Sequence, residues 1–102
     1  MSTEPQVQDF LKKVSKIVLL FLKDFNAPKE LHRSALKFTK VAITYLDWKS
    51  KSTSDEMLQA ILNHVFTVRD ARKYTTTIRR IVTKLIIRVG VDKVKAGTPV
   101  TH

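Results

Sequence analysis

Thr75-Thr76-Thr77-Ile78-Arg79-Arg80-Ile81-Val82-Thr83-Lys84-Leu85-Ile86-Ile87-Arg88-Val89-Gly90 is the stretch on which the fold turns. With Tyr74 before it, Ile78, Ile81, Val82, Leu85, Ile86 and Val89 return at steps of three and four, the signature of one apolar helix face. The spacing predicts a helix from about Asp70 to Val89, and Gly90 is its natural stop. Between the apolar positions stand arginines and lysines and no acid at all. The same residues therefore carry both the fold and the charge.

Sliding this helix back by 43 residues finds a second copy of the pattern. Leu31 falls on Tyr74, Ala35 on Ile78, Phe38 on Ile81, Ala42 on Leu85 and Leu46 on Val89. That offset lies within the ~40–47 residue period of HEAT and armadillo arrays. The earlier helix is expected from Pro28 to about Leu46, opened by the break Asn26-Ala27-Pro28. Each copy is preceded by a further helix. One runs from about Pro5 to Phe25, with Thr3 as N-cap and Val7, Phe10, Leu11, Val14, Ile17, Val18, Phe21, Leu22 and Phe25 as its apolar set. Leu19 and Leu20 widen that set, so the helix is expected to be covered on more than one side. The other runs from about Asp55 to Phe66 and buries Leu58, Ile61, Leu62 and Val65, with Thr53 and Glu56 as a capping box.

The expected fold is all-α, with antiparallel helix pairs stacked as HEAT/armadillo-like repeats in a segment of an α-solenoid. Repeat one spans about residues 5–47, the serine-rich loop 48–54 follows, and repeat two spans about 55–90. Residues 91–102 start a further, incomplete element that Gly97 and Pro99 end. Two repeats are fewer than the ~3 that solenoids usually need, so the chain reads as an excerpt of a longer array. A plain four-helix bundle is the competing architecture.

Composition narrows the function. The 102 residues hold 19 Lys and Arg against 9 Asp and Glu, a formal charge of +10. Such a length fits one small domain. Hydrophobic residues at 43% exclude a disordered basic tail. The absence of cysteine excludes disulfides, thiolate zinc sites and cysteine nucleophiles together. The apolar run Ile17 to Leu22 is far short of the ~20 residues of a spanning helix, and the acidic N-terminus does not resemble a secretory signal. His32, His64 and His102 fall on separate segments without ligand spacing, and the first two read as partly exposed helix residues. No glycine-rich loop cradles a phosphate. Asp55 and Glu56 are explained by helix capping. No enzyme, metal or cofactor is expected.

The basic residues point elsewhere. From Thr67 to Lys95 there are nine Lys and Arg against Asp70 and Asp92, a local +7. On one continuous helix at about 100° per residue, Arg69, Lys73, Arg80, Lys84 and Arg88 fall along one side, with Arg72 and Arg79 on the other flank. Charges at these steps can follow a row of phosphates while the apolar stripe stays buried. The bland alternative is a solvated face whose arginine stems shield the core. Arg69, Lys73, Arg79, Arg80, Lys84 and Arg88 are the expected RNA contacts, and Lys12, Lys13, Lys16, Lys37 and Lys40 add charge to the first pair. Phe10, Phe21, Phe25, Phe38 and Tyr74 sit on apolar faces and read as core. Trp48 alone is placed for exposure, so recognition should rest on backbone charge and shape.

Two stretches resemble a known family. One is Ala35-Leu36-Lys37-Phe38-Thr39-Lys40-Val41-Ala42-Ile43-Thr44-Tyr45-Leu46-Asp47; the other runs from Arg72-Lys73-Tyr74 through Ile78-Arg79-Arg80 to Val89-Gly90-Val91-Asp92-Lys93-Val94. Together they resemble the conserved HEAT-repeat region of the ribosomal RNA-processing protein 12 family, over residues 27 to 97. Val89 departs from the aromatic that the family usually has before the glycine, and Ile87 interrupts its basic cluster. The resemblance implies a nuclear, mostly nucleolar scaffold that binds precursor ribosomal RNA and pre-ribosomal assembly factors during small-subunit maturation and export. It also implies contacts with the nuclear-transport GTPase. Two other readings compete: a karyopherin-like helical-repeat adaptor for acidic protein partners, and a small basic helical domain that binds nucleic acid by itself.

Overall fold

The computed structural model describes residues 5–24, 26–49, 51–68 and 71–98, and the side chains of all of these but 51–54. It is all-helical, with no strand among the described residues. The described residues form five α-helices in succession: α1 (Pro5–Lys23), α2 (Lys29–Tyr45), α3 (Lys51–Val65), α4 (Thr75–Val89) and α5 (Val91–Gly97), with a 3-10 turn, Ala71–Tyr74, leading into α4. Both ends of α1 and α2, and the C-terminal end of α4, agree with the periodicity to within about two residues. Thr3, Phe25 and Pro99, expected as N-cap, helix end and breaker, lie outside the described residues.

Two elements differ from expectation. Helix α3 starts at Lys51, so Thr53 lies inside the helix and not at its cap. Serine and threonine cost a helix only about 0.5 kcal/mol each, which tertiary packing readily outweighs. The fourth helix is not continuous: the 3-10 turn precedes it, and Tyr74 at the junction has φ −110° and ψ 18°. The residues after Gly90 form the further short element expected there, a helix that ends at Gly97. Gly90 has φ 102° and ψ 150°, a conformation essentially reserved for glycine, and it lets α5 turn back until Val94 is buried against the core.

Side-chain contacts give the helix directions. Gln8 near the start of α1 brackets the end of α2, donating to the Tyr45 carbonyl at 2.8 Å and accepting from the Asp47 amide at 2.8 Å. α1 and α2 are thus antiparallel, and one glutamine satisfies a carbonyl that the end of α2 leaves open and an amide of the turn that follows. Lys16 meets Glu56 in the first half of α3, while Lys23 at the end of α1 lies beside His64 at the end of α3. These two helices run parallel. So do α2 and α4, since the Tyr74 hydroxyl reaches the Lys29 carbonyl at 3.4 Å and Lys84 reaches Thr44 at 2.9 Å. The closest backbone approaches join α1 to α2 and α3, α2 to α4, and α5 to both α3 and α4.

One core links all five helices. Leu19 and Leu22 of α1, Leu36 and Ile43 of α2, Met57, Ile61 and Leu62 of α3, Ile81 and Leu85 of α4, and Val94 belong to it. The expected core of α3 is buried throughout. On α4, Ile81 and Leu85 are buried with Tyr74 before them, whereas Ile86 reaches solvent. Helix α1 departs most: Phe10, Ile17, Leu20 and Phe21 are exposed, so it is covered on the α2 and α3 sides only. Tyr45 of α2 is likewise exposed. His32, expected near the surface, is buried with Nε2 2.9 Å from the Asp24 carbonyl, which ties the α1–α2 turn to α2. Trp48 packs half-buried on the core and donates its indole N–H to the Ile43 carbonyl at 2.8 Å. It is a strut, not an exposed platform.

Candidate nucleic-acid interface

The 3-10 turn and α4 together, residues 71–89, contain six Lys and Arg and no acidic residue. Arg80 and Arg88 are exposed on α4, one turn to either side of Lys84. Lys84 is half-buried and its ammonium donates to the Thr44 hydroxyl of α2. That bond joins two helix faces, because Arg33, Lys37, Lys40 and Thr44 recur at the spacing of one face of α2. Arg33 and Lys37 are exposed and Lys40 is partly so. The result is a two-helix basic surface, with Arg33, Lys37 and Lys40 on one side of the seam and Arg80, Lys84 and Arg88 on the other. Glu30 is the acid nearest in sequence to its α2 side.

The expected single row is therefore redrawn. Arg69 lies outside the described residues. Lys73 is exposed, but it sits on the 3-10 turn at three residues per turn, so it does not continue the Arg80–Lys84–Arg88 row as a straight α-helix would make it do. Arg79 is exposed on the flank away from that row, as is expected from its spacing. Lys84 is less free than its spacing alone suggests. Arg33 was not singled out as a contact, and its i, i+4 relation to Lys37 is the signal that identifies it.

Three carboxylates are ion-paired away from this surface. Ion pairs among the described residues include Lys13–Asp9 within α1 at 3.0 Å, Lys16–Glu56 between α1 and α3, and Lys93–Asp55 between α5 and α3 at 3.9 Å. Lys16 holds the Glu56 carboxyl below its usual range, first by hydrogen bonding and then by charge, with Lys12 adding to the effect. Among the described residues, no carboxylate pairs with Arg33, Lys37, Lys40, Arg80 or Arg88. Unpaired cations held on rigid helices at regular spacing are what a phosphate backbone can engage, each contact releasing a condensed counterion.

Other places offer less chemistry. A shallow open cleft between α3 and α5 is lined by Asp55, Leu58, Gln59, Lys93, Ala96 and Gly97, and its two charged groups are paired with each other. His64 is half-buried, with Nδ1 2.7 Å from the Ala60 carbonyl; burial lowers its pKa from the ordinary value and the Lys23 charge adds to this. Among the described residues, no group of three or more His, Asp or Glu side chains could hold a metal ion, and no helix is long and apolar enough to cross a membrane.

At this point the chain is defined as an all-helical protein with a basic two-helix face. Comparison with protein-family models, with curated proteins and with solved structures found no match.

Proposed function

We propose that this chain is a non-catalytic segment of a HEAT-type helical-repeat scaffold that binds RNA through phosphate contacts on its α2–α4 face. The Lys84–Thr44 hydrogen bond carries the reading, because it joins the acid-free α4 to the Arg33–Lys37–Lys40 face of α2 in one unpaired cationic surface. The repeat assignment is supported by helices that correspond at a 43-residue offset, α1 with α3 and α2 with α4, lying parallel and in contact. Arg79, Arg88, Lys73 and Arg69 extend the charge beyond the central surface. The sequence resemblance makes precursor ribosomal RNA the target, with pre-ribosomal assembly factors as neighbours in the nucleolus and small-subunit maturation and export as the process.

The test is binding to a structured precursor ribosomal RNA fragment in competition with an acidic protein. Retention of the RNA, with affinity lost on Arg33→Glu and Arg80→Glu, is the expected result. Ready displacement by the acidic protein favours the second reading, a karyopherin-like adaptor, which the exposed apolar side of α1 and α2 also suits.

A further inference from the structure

Cations alone do not tell RNA from DNA, because both carry the same phosphates and both release counterions on binding. The group that differs is the ribose 2′-hydroxyl, and reading it takes hydrogen-bonding side chains set among the cations. Threonine hydroxyls along the α2–α4 seam are such groups. A helical threonine ordinarily donates its hydroxyl to a backbone carbonyl three or four residues back. Thr39, Thr67, Thr75, Thr83 and Thr98 all do so. Among the threonines whose side chains are described, Thr44, Thr76 and Thr77 donate to no protein group. All three stand beside the basic rows. Thr44 is the most tightly placed: its oxygen accepts from the Lys84 ammonium at 2.9 Å, which fills one lone pair and leaves the hydroxyl proton free. Thr77 lies seven residues before Lys84, on the same side of α4, and like Thr44 it is half-buried. One turn nearer the helix starts than the Lys84–Thr44 bond, Arg80 and Lys40 stand on either side of the seam. Packed helices lie ~8–10 Å apart, so long cationic side chains flank short hydroxyls held closer to the helix surface.

We propose that Thr44 and Thr77 read ribose 2′-hydroxyls and make this surface selective for helical RNA over DNA, an inference that rests on the phosphate-contact reading above. The minor groove of A-form RNA is wide and shallow. It shows its 2′-hydroxyls to short side chains, and the phosphates of both strands border it. Arg33, Lys37 and Lys40 engage one border and Arg80 and Arg88 the other, while the two threonines meet the sugars between them. Thr44 donates its free proton to a 2′-oxygen, and Thr77 has both donor and acceptor capacity to offer. Lys84 then holds Thr44 in place and adds its charge at the seam. None of these contacts needs a base edge, so the selectivity is for the sugar and not for sequence.

The test is the affinity of the whole 102-residue chain for an RNA hairpin, for its 2′-fluoro form and for the DNA hairpin of the same sequence. The fluoro sugar keeps the A-form and the phosphates but loses the hydroxyl proton and most of the accepting power. RNA should bind about 10-fold more tightly than either analogue, the worth of two net hydrogen bonds. Thr44→Val with Thr77→Val should bring RNA down to the level of the analogues and leave theirs unchanged, with helicity by circular dichroism intact. Thr44→Ser with Thr77→Ser keeps both hydroxyls and should preserve the preference. Arg80→Glu should weaken all three ligands, since it removes a phosphate contact. Should the valine pair cost helicity, the fluoro comparison on the unaltered chain decides. RNA and DNA bound equally, with Arg80→Glu weakening both, would overturn the inference and leave phosphate binding standing. RNA and its fluoro form bound alike, or a folded valine variant that keeps the preference, would overturn it in the same way. No binding of any of the three would instead overturn the RNA-scaffold reading, and this inference with it.

Discussion

Ser15 shows how much a single atom can decide in a small core. Its hydroxyl is buried in α1 and has no hydrogen-bond partner. A buried polar group left unmade costs ~1–3 kcal/mol, so Ser15→Ala should raise stability, or at least not lower it, by chemical denaturation. Gln8 is the opposite case. Its amide makes two bonds to the end of α2, and Gln8→Leu should cost about 1–2 kcal/mol. His64 sets a pH dependence. Its folded pKa is depressed by burial, so the unfolded chain takes up the proton more readily. The stability tied to it is present above the ordinary histidine pKa and is lost as pH falls below that value. Thermal melts from neutral to mildly acidic pH should therefore show falling stability, and His64→Gln should flatten the slope. These bonds were not legible in the sequence. A histidine or tryptophan on a helix has the same spacing whether or not a carbonyl waits for it, and the roles of His32 and Trp48 came from turns that only the folded chain brings near.

Helices were the most legible scale. The three- and four-residue recurrence of Ile78 to Val89 placed α4, and the same rule placed α1 and α2, because burial of one face has to follow the helical period. The start of α3 was hidden by weak local preferences in Lys49 to Ser54, which packing overrides. The 3-10 turn before α4 was also hidden, since Ala71 to Tyr74 carries no breaker, and it moved Lys73 out of the basic row. Gly90 was read as a stop; its φ of 102° makes it a corner as well. A Cβ there meets nothing within 4 Å, so the strain of Gly90→Ala is purely conformational. It should cost ~1–3 kcal/mol, with loss of amide protection in α5 before the rest.

At the level of the whole molecule, charge and burial are sorted onto different faces. Carboxylates pair with lysines on α1, α3 and α5, leaving the α2–α4 face basic and unpaired, while apolar surface remains open on α1–α2. The +7 from Thr67 to Lys95 was visible in the sequence; its union with Arg33, Lys37 and Lys40 required the contact between Lys84 and Thr44. RNA affinity measured across a range of salt tests that union most directly, comparing the chain with its Arg33→Glu/Lys37→Glu/Arg80→Glu variant. All three residues are exposed, so helicity and melting should hold. The slope of log affinity against log salt should fall by about 2–3 through loss of three phosphate contacts at ~0.7–0.9 each. An unchanged slope and affinity in a folded variant would contradict the account and remove the α2–α4 face as the RNA surface.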